Sequence, residues 1–171
     1  IISGRRTYAD VLARPFIKAE TDGEGVGGYY FADLNFKIHH IFSDKDKIYW
    51  SNYYGRDKFY GESKEQFYED KVRLGWGNIT STLRWNHQYS NKLFSNTSLI
   101  FSNYKFKVTG DFKETFQDGE VEESFFRTSS GINDFTVKTD FDYFPNSKHS
   151  IRFGALATNH KFTPQRILIK D

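Results

Sequence analysis

The stretch Asp134-Phe135-Thr136-Val137-Lys138-Thr139-Asp140-Phe141-Asp142-Tyr143 decides the fold. Phe135, Val137, Thr139, Phe141 and Tyr143 alternate with Asp134, Thr136, Lys138, Asp140 and Asp142. A strict period of two puts the first set on one face of a β-strand and the second set on the other. Pro145-Asn146-Ser147-Lys148 then turns the chain, with the proline where a missing N–H does no harm. The return stretch sets Ile151, Phe153, Ala155 and Ala157 against Arg152, Gly154, Leu156 and Thr158.

The same pattern recurs upstream. Tyr30, Ala32, Leu34, Phe36, Ile38, His40 and Phe42 alternate with Tyr29, Phe31, Asp33, Asn35, Lys37 and His39. Ser43-Asp44-Lys45-Asp46 is a polar turn, and residues 48–55 return with aromatics on both sides. A strand over 72–88 puts Ile79, Ser81, Leu83 and Trp85 opposite Asn78, Thr80, Thr82, Arg84 and Asn86. After Ser90-Asn91-Lys92, a strand over 94–108 groups Ile100, Ser102, Tyr104, Phe106 and Val108 opposite Asn103, Lys105 and Lys107. Which faces of strands 48–55 and 94–108 share a side with the others is open at this stage.

These strands run to roughly 10–17 residues, whereas soluble strands cluster near 5–6 and about 9–11 tilted residues cross a bilayer. The turns at 43–46, 90–92 and 145–148 are tight, while segments 5–28, 56–71 and 109–123 read as long polar connections. Tight turns at one end and long loops at the other are a mark of outer-membrane barrels. The expected fold is therefore all-β: an antiparallel transmembrane β-barrel segment of long up-and-down strands. Residues 1–171 form one segment of about six complete strands, with partial strands at both ends and no plug domain. Phe42, Trp50, Trp85, Tyr89, Phe94, Tyr143 and Phe144 fall near the tight turns and suit an interfacial girdle. Asp33, Lys37, Arg84, Lys105, Lys107, Asp134, Lys138, Asp140, Asp142 and Arg152 need water, from a lumen or a solvated face.

Composition agrees and excludes several classes. The chain has 171 residues with 18 Phe and 11 Tyr against 6 Ala and 8 Leu, a balance that favours strands over helices. The absence of Cys removes disulfides, thiolate zinc sites and a cysteine nucleophile. A net charge of +2 carries no strong field for nucleic acid. A mean hydropathy of -0.68 is compatible with a membrane barrel, whose strands are apolar on one face only. The opening Ile1-Ile2-Ser3-Gly4 and the closing Ile167-Leu168-Ile169-Lys170-Asp171 read as cut ends, so a fragment of a larger protein is expected.

Candidate chemistry is thin. Gly23-Glu24-Gly25-Val26-Gly27-Gly28 lacks the ending of a phosphate loop and reads as a flexible outer loop. His39 and His40 point to opposite faces of a strand and cannot readily share a metal, and His87, His149 and His160 read as scattered interfacial histidines. Asp118, Glu120, Glu122 and Glu123 form an acidic run that suits a solvated loop better than a calcium site. Asp140 and Asp142 share a face, as a lumen-lining pair rather than an acid–base couple. Asn78-Ile79-Thr80 and Asn96-Thr97-Ser98 match a glycosylation signal but fall inside strands. No enzyme is expected: no catalytic, cofactor-binding or metal residue is assigned, no cofactor is required, and the ligand-binding residues are unknown.

Several segments in order resemble the barrel of Bacteroidetes-type TonB-dependent outer-membrane receptors. They are Ile2-Ser3-Gly4-Arg5-Arg6-Thr7-Tyr8 with Arg14-Pro15-Phe16, Tyr29-Tyr30-Phe31-Ala32-Asp33-Leu34-Asn35, Phe42-Ser43-Asp44-Lys45-Asp46-Lys47-Ile48-Tyr49 and Tyr54-Gly55-Arg56-Asp57. Further along come Trp76-Gly77-Asn78-Ile79-Thr80, Leu83-Arg84-Trp85-Asn86-His87, Arg152-Phe153-Gly154 and His160-Lys161-Phe162. The resemblance implies part of a 22-stranded barrel in the bacterial outer membrane that imports a scarce nutrient. It also implies outer-membrane lipid, TonB, the receptor's own plug domain and a surface lipoprotein as partners, with no nucleic acid and an unidentified transported ligand. Two other readings compete: an autonomous eight-stranded outer-membrane barrel with a structural or adhesive role, and a soluble β-sandwich or lipocalin-like binding module.

Overall fold

The computed structural model describes residues 1–170. The expected alternation folds as one antiparallel sheet of seven strands in chain order. The strands are β1 (Ile2–Arg6), β2 (Gly25–Ile41), β3 (Asp46–Lys64), β4 (Tyr68–Ser90), β5 (Leu93–Thr115), β6 (Val121–Asn146) and β7 (His149–Lys170). One helix, α1 (Ala9–Glu20), lies between β1 and β2. The up-and-down order and the three tight turns match the sequence reading. Ile167, Leu168 and Ile169 continue β7 instead of starting a further strand, and Asp171 lies outside the described residues.

The far end of the sheet differs from the expectation of irregular loops. Segments 56–71 and 109–123 are mostly strand, with only residues 65–67 and 116–120 between the paired elements. Their polarity suits a strand with water on both sides, because charges meet opposite charges across the ladder. Arg73 binds Glu62 at 2.8 Å, Lys113 binds Glu123 at 2.7 Å, and Lys71 binds Glu69 along β4. Lys71 holds the Glu69 carboxyl below the usual carboxylate range, and Glu123 raises the Lys113 ammonium. A 23-residue strand such as β4 is about 75 Å long, far more than a bilayer's ~30 Å of hydrocarbon requires.

Segment 5–28 also differs, because it holds α1. Pro15 within it argues against a helix from sequence, yet the helix forms where it can pack. Asp10 in its first turn is 2% exposed and binds Arg6 at 2.8 Å. Glycine is required beneath: a Cβ on Gly28 would fall 2.7 Å from the Asp10 Cβ.

Residues paired across a ladder share a face, so the register sorts all side chains into two sets. The first face carries the even residues of β2 and β3 and the odd residues of β4, β5, β6 and most of β7. One row across it reads Ile38, Trp50, Leu83, Leu99, Val137 and Ala157. The neighbouring row on the second face reads Lys37, Ser51, Thr82, Ile100, Thr136 and Thr158.

Apart from α1 over the end of β2 at Gly27 and Gly28, no second layer covers either face, and no hydrophobic residue is buried among the described residues. The accessible surface is 12283 Å², against roughly 8,700 Å² for a compact monomer of this mass. A sandwich would bury one face against a second sheet, and the single sheet has none.

The turn between β2 and β3 yields a pH dependence. Asp46 accepts from His87 Nδ1 at 2.6 Å, Ser43 Oγ at 2.9 Å and Trp85 Nε1 at 3.0 Å. Led by His87, these partners hold the carboxyl below the usual aspartate range. A depressed carboxyl contributes stability that is complete above the unfolded value of about 3.9 and is lost as pH falls through the folded one. Urea unfolding below about pH 4 is expected to be less pH-dependent in Asp46→Asn than in the parent. Equal slopes in the two proteins would remove Asp46 from the account.

Candidate functional site

Two opposed surfaces make up the functional part of the sheet. On the first face, Leu34, Ile38, Trp50, Tyr54, Ile79, Leu83, Trp85, Leu99, Phe101, Phe135, Val137 and Phe153 form a continuous exposed apolar band. Leu83 at its centre is 42% exposed and Phe153 is 51% exposed. A patch of this extent suits hydrocarbon rather than water.

The few polar groups inside the band are mostly satisfied there, as a dry surface demands. Trp50 Nε1 donates to Ser81 Oγ at 3.1 Å, and the Thr97 and Thr139 hydroxyls bond each other at 3.2 Å. Asn52 Nδ2 is buried without a partner.

The upper edge of the band is oblique to the ladder. Leu34, Tyr54 and Ile79 share one row, Phe101 and Phe135 lie one same-face step nearer the tight turns, and Ala157 one step nearer again. That drift approaches one residue per strand, about the offset produced by the 35–45° strand tilt of barrels. A level apolar slab crossing inclined strands has this outline.

On the second face, the same stretch of sheet is polar and paired. Arg5 binds Asp33 at 2.5 Å, Lys138 binds Asp140 at 2.8 Å, Arg152 binds Asp142 at 2.7 Å and His160 Nδ1 meets Asp134 at 2.7 Å. Asp140 and Asp142 thus each hold a separate cation and do not form a couple. Asn86 and Asn96 bond at 3.2 Å, and Thr136 and Thr158 at 2.9 Å. Of the ten charged residues that need water, Lys105 and Lys107 lie on the first face and the other eight on the second.

Beyond the band, towards the far hairpins, the two faces exchange character. The second face becomes apolar, with Leu74, Trp76, Tyr104, Phe106 and Val108 on β4 and β5. The first face becomes cationic. An open groove of about 650 Å³ there is lined by Arg56, Lys58, Arg73, Lys105, Lys107 and Arg127 among others. This cluster escaped the sequence reading because its members come from β3, β4, β5 and β6, and only the register brings them together. The visible signal was Lys105 and Lys107 opposing the apolar set of their own strand.

The other residues singled out from sequence fall apart. The expected flexible loop over residues 23–28 is short: Gly23 (φ +90°) turns the chain after α1, and Gly25 to Gly28 already belong to β2, paired with Tyr60 to Ser63. His39 stacks on Tyr49 at 6.0 Å while His40 meets Phe42 at 4.5 Å on the opposite face. Asp118 caps the turn at Glu120 N (3.1 Å), and Glu123 pairs with Lys113. Among the described residues no three His, Asp or Glu side chains converge on a metal position. His87 meets Asp46 at the tight-turn end, and His149 meets Asn146 at 2.7 Å. Both asparagines of the glycosylation signals are strand residues on the second face. Of the girdle aromatics, Trp50, Trp85 and Tyr143 lie on the first face, whereas Phe94 and Phe144 pack together at 6.1 Å on the second.

No protein-family model matches the chain, and no curated protein does. Among solved structures, a KdgM porin is similar at 10% identity, covering 99% of this chain and 95% of the porin, with a TM-score of 0.15. The KdgM porin in complex with disordered oligogalacturonate gives the same identity and coverage with a TM-score of 0.13. At these scores the likeness carries no argument about fold or ligand.

The two faces are distinguishable by one substitution on each. Leu83→Lys is expected to destabilise the protein in lipid by about 2–4 kcal/mol, the cost of a cation at mid-bilayer on a barrel's outer face. Thr82→Lys, one residue away on the polar face, is expected to cost under about 1 kcal/mol, typical of tolerated surface changes. Urea titrations in lipid vesicles read both, and equal costs would refute the assignment of faces.

Proposed function

We propose that this chain is a section of the wall of an outer-membrane β-barrel. The carrying observation is the single row Ile38, Trp50, Leu83, Leu99, Val137 and Ala157, exposed on one face of a sheet whose other face is ion-paired. In this arrangement the apolar band faces lipid and the paired Arg, Lys, His and Asp residues face a watery lumen. The wall supplies shape and polarity rather than catalysis.

Seven strands in an open sheet do not make a closed wall. β1 pairs with only part of β2, and the outer edge of β7 carries unpaired backbone groups. Each such group in hydrocarbon costs several kcal/mol, so closure needs further strands. The sequence resemblance supports an import receptor of the TonB-dependent type, in which neighbouring strands of one long chain complete the barrel. There the far hairpins line an outer vestibule, a plug fills the lumen, and force from TonB displaces it to admit a scarce nutrient. The unpaired edges are also compatible with a smaller barrel of structural or adhesive role, closed by one or a few more strands.

The size of the native polypeptide separates these functions. An antibody to this chain, used on the outer-membrane fraction with boiled and unboiled samples, is expected to find a heat-modifiable band several times larger than 20.1 kDa. A heat-modifiable band only a few kilodaltons above 20.1 kDa, room for one or a few more strands, would leave the small barrel and remove the TonB mechanism. Recovery in the soluble fraction would end both membrane readings.

A further inference from the structure

The cationic groove stands on the face that carries the apolar band, immediately beyond the band's upper edge at Tyr54 and Ile79. Arg56, Lys58, Arg73, Lys105, Lys107 and Arg127 line it, with Asp111 as the one acid among its lining residues. Arg73 is engaged by Glu62. The other five make no salt bridge among the described residues. The whole chain has a net charge of only +2, so this concentration is local.

The floor of the groove is shaped by missing side chains. Arg56, Gly77, Lys105 and Gly131 share one row, and Lys58, Gly75, Lys107 and Ser129 share the next. In both rows a glycine of β4 separates a cation of β3 from a cation of β5. Those outer strands stand about 9–10 Å apart, two sheet spacings. A phosphate fits between the two cations, above the bare glycine backbone. A side chain at Gly77 would crowd that backbone, since its Cβ would sit 3.1 Å from the Gly55 carbonyl oxygen.

Continuity with the band selects the kind of anion. A phosphate held here has Tyr54 and Ile79 one row beneath it on the same face, and Phe101 and Phe135 one row further down past Asn103 and Asn133. We infer that the groove binds the phosphorylated headgroup of an outer-leaflet lipid whose acyl chains lie on the apolar band. Arg and Lys suit this task, since both donate charge-assisted hydrogen bonds to phosphate oxygens. The inference rests on the membrane-wall reading, because it needs the first face to touch lipid.

The test uses the full native protein and a triple variant, Arg56→Gln/Lys105→Gln/Lys107→Gln. All three positions are solvent-accessible and take no part in the ion pairs of the opposite face. Both proteins are reconstituted into phosphatidylcholine vesicles with and without diphosphoryl lipid A, and bound lipid is counted by native mass spectrometry after extraction. The parent is expected to retain lipid A, and the variant to bind it about a hundredfold more weakly, at about fivefold for each of the three cations near an anionic lipid surface. Dephosphorylated lipid A should not be retained by either, and inorganic phosphate should not displace lipid A from the parent. Equal retention by parent and variant would overturn the inference. So would displacement by inorganic phosphate, which would make the groove a site for soluble anions. Failure of the parent to insert into vesicles would overturn the wall reading and this inference together. Insertion without preference for phosphorylated lipid would overturn this inference alone.

Discussion

The row Ile38, Trp50, Leu83, Leu99, Val137 and Ala157 has no protein above it, and this constraint governs the rest of the sheet. In a globular domain such a row is covered by a second layer and supplies most of the driving force for folding. Here none of the described apolar residues is buried, so cohesion comes from the ladders and from whatever solvent meets the band. Register therefore matters more than packing. A slip of one residue in β6 would bring Lys138 or Thr136 onto the apolar side in place of Val137. The ion pairs of the second face resist the same slip, because Asp142 meets Arg152 and Asp134 meets His160 only in the observed alignment. Apolar and charged surfaces thus specify one register from opposite sides.

That double specification explains which features were legible in the sequence. Strands over 135–143 and 151–158 were readable because both faces alternate cleanly, and Pro145 marks the turn. The strand extensions at 56–71 and 109–123 were not. The first mixes charges of both signs and the second is mostly acidic, and a polar run reads as loop until the partner strand supplies Glu62 for Arg73 or Glu123 for Lys113. α1 was hidden for a different reason. Pro15 argues locally against a helix, whereas α1 packs by the tertiary contact of Asp10 on Gly28 and by the local pair of Asp10 with Arg6 four residues before it. The cationic groove lay beyond local reading altogether, since Arg56 and Arg127 are far apart in sequence and are placed together only through three ladders.

The exchange of polarity along the strands follows from their length. Over the stretch occupied by the apolar band, the proposed wall requires a greasy outer face and a wet inner one. Past Tyr54 and Ile79 that requirement ends, and the strands continue as hairpins with water available on either side. The outward positions of β5 then change from Leu99 and Phe101 to Lys105 and Lys107, while Tyr104, Phe106 and Val108 turn inward. A soluble sheet packed on one core has no reason to switch faces midway, because its buried side is the same from end to end. A strand that passes out of a lipid slab does. Its lipid-facing set ends where the slab ends, and cations at that border meet the layer in which membrane phosphates lie. In the proposed membrane wall, the height of the switch on each strand corresponds to the slab's upper edge, and its oblique course across β3 to β7 to the inclination of the strands.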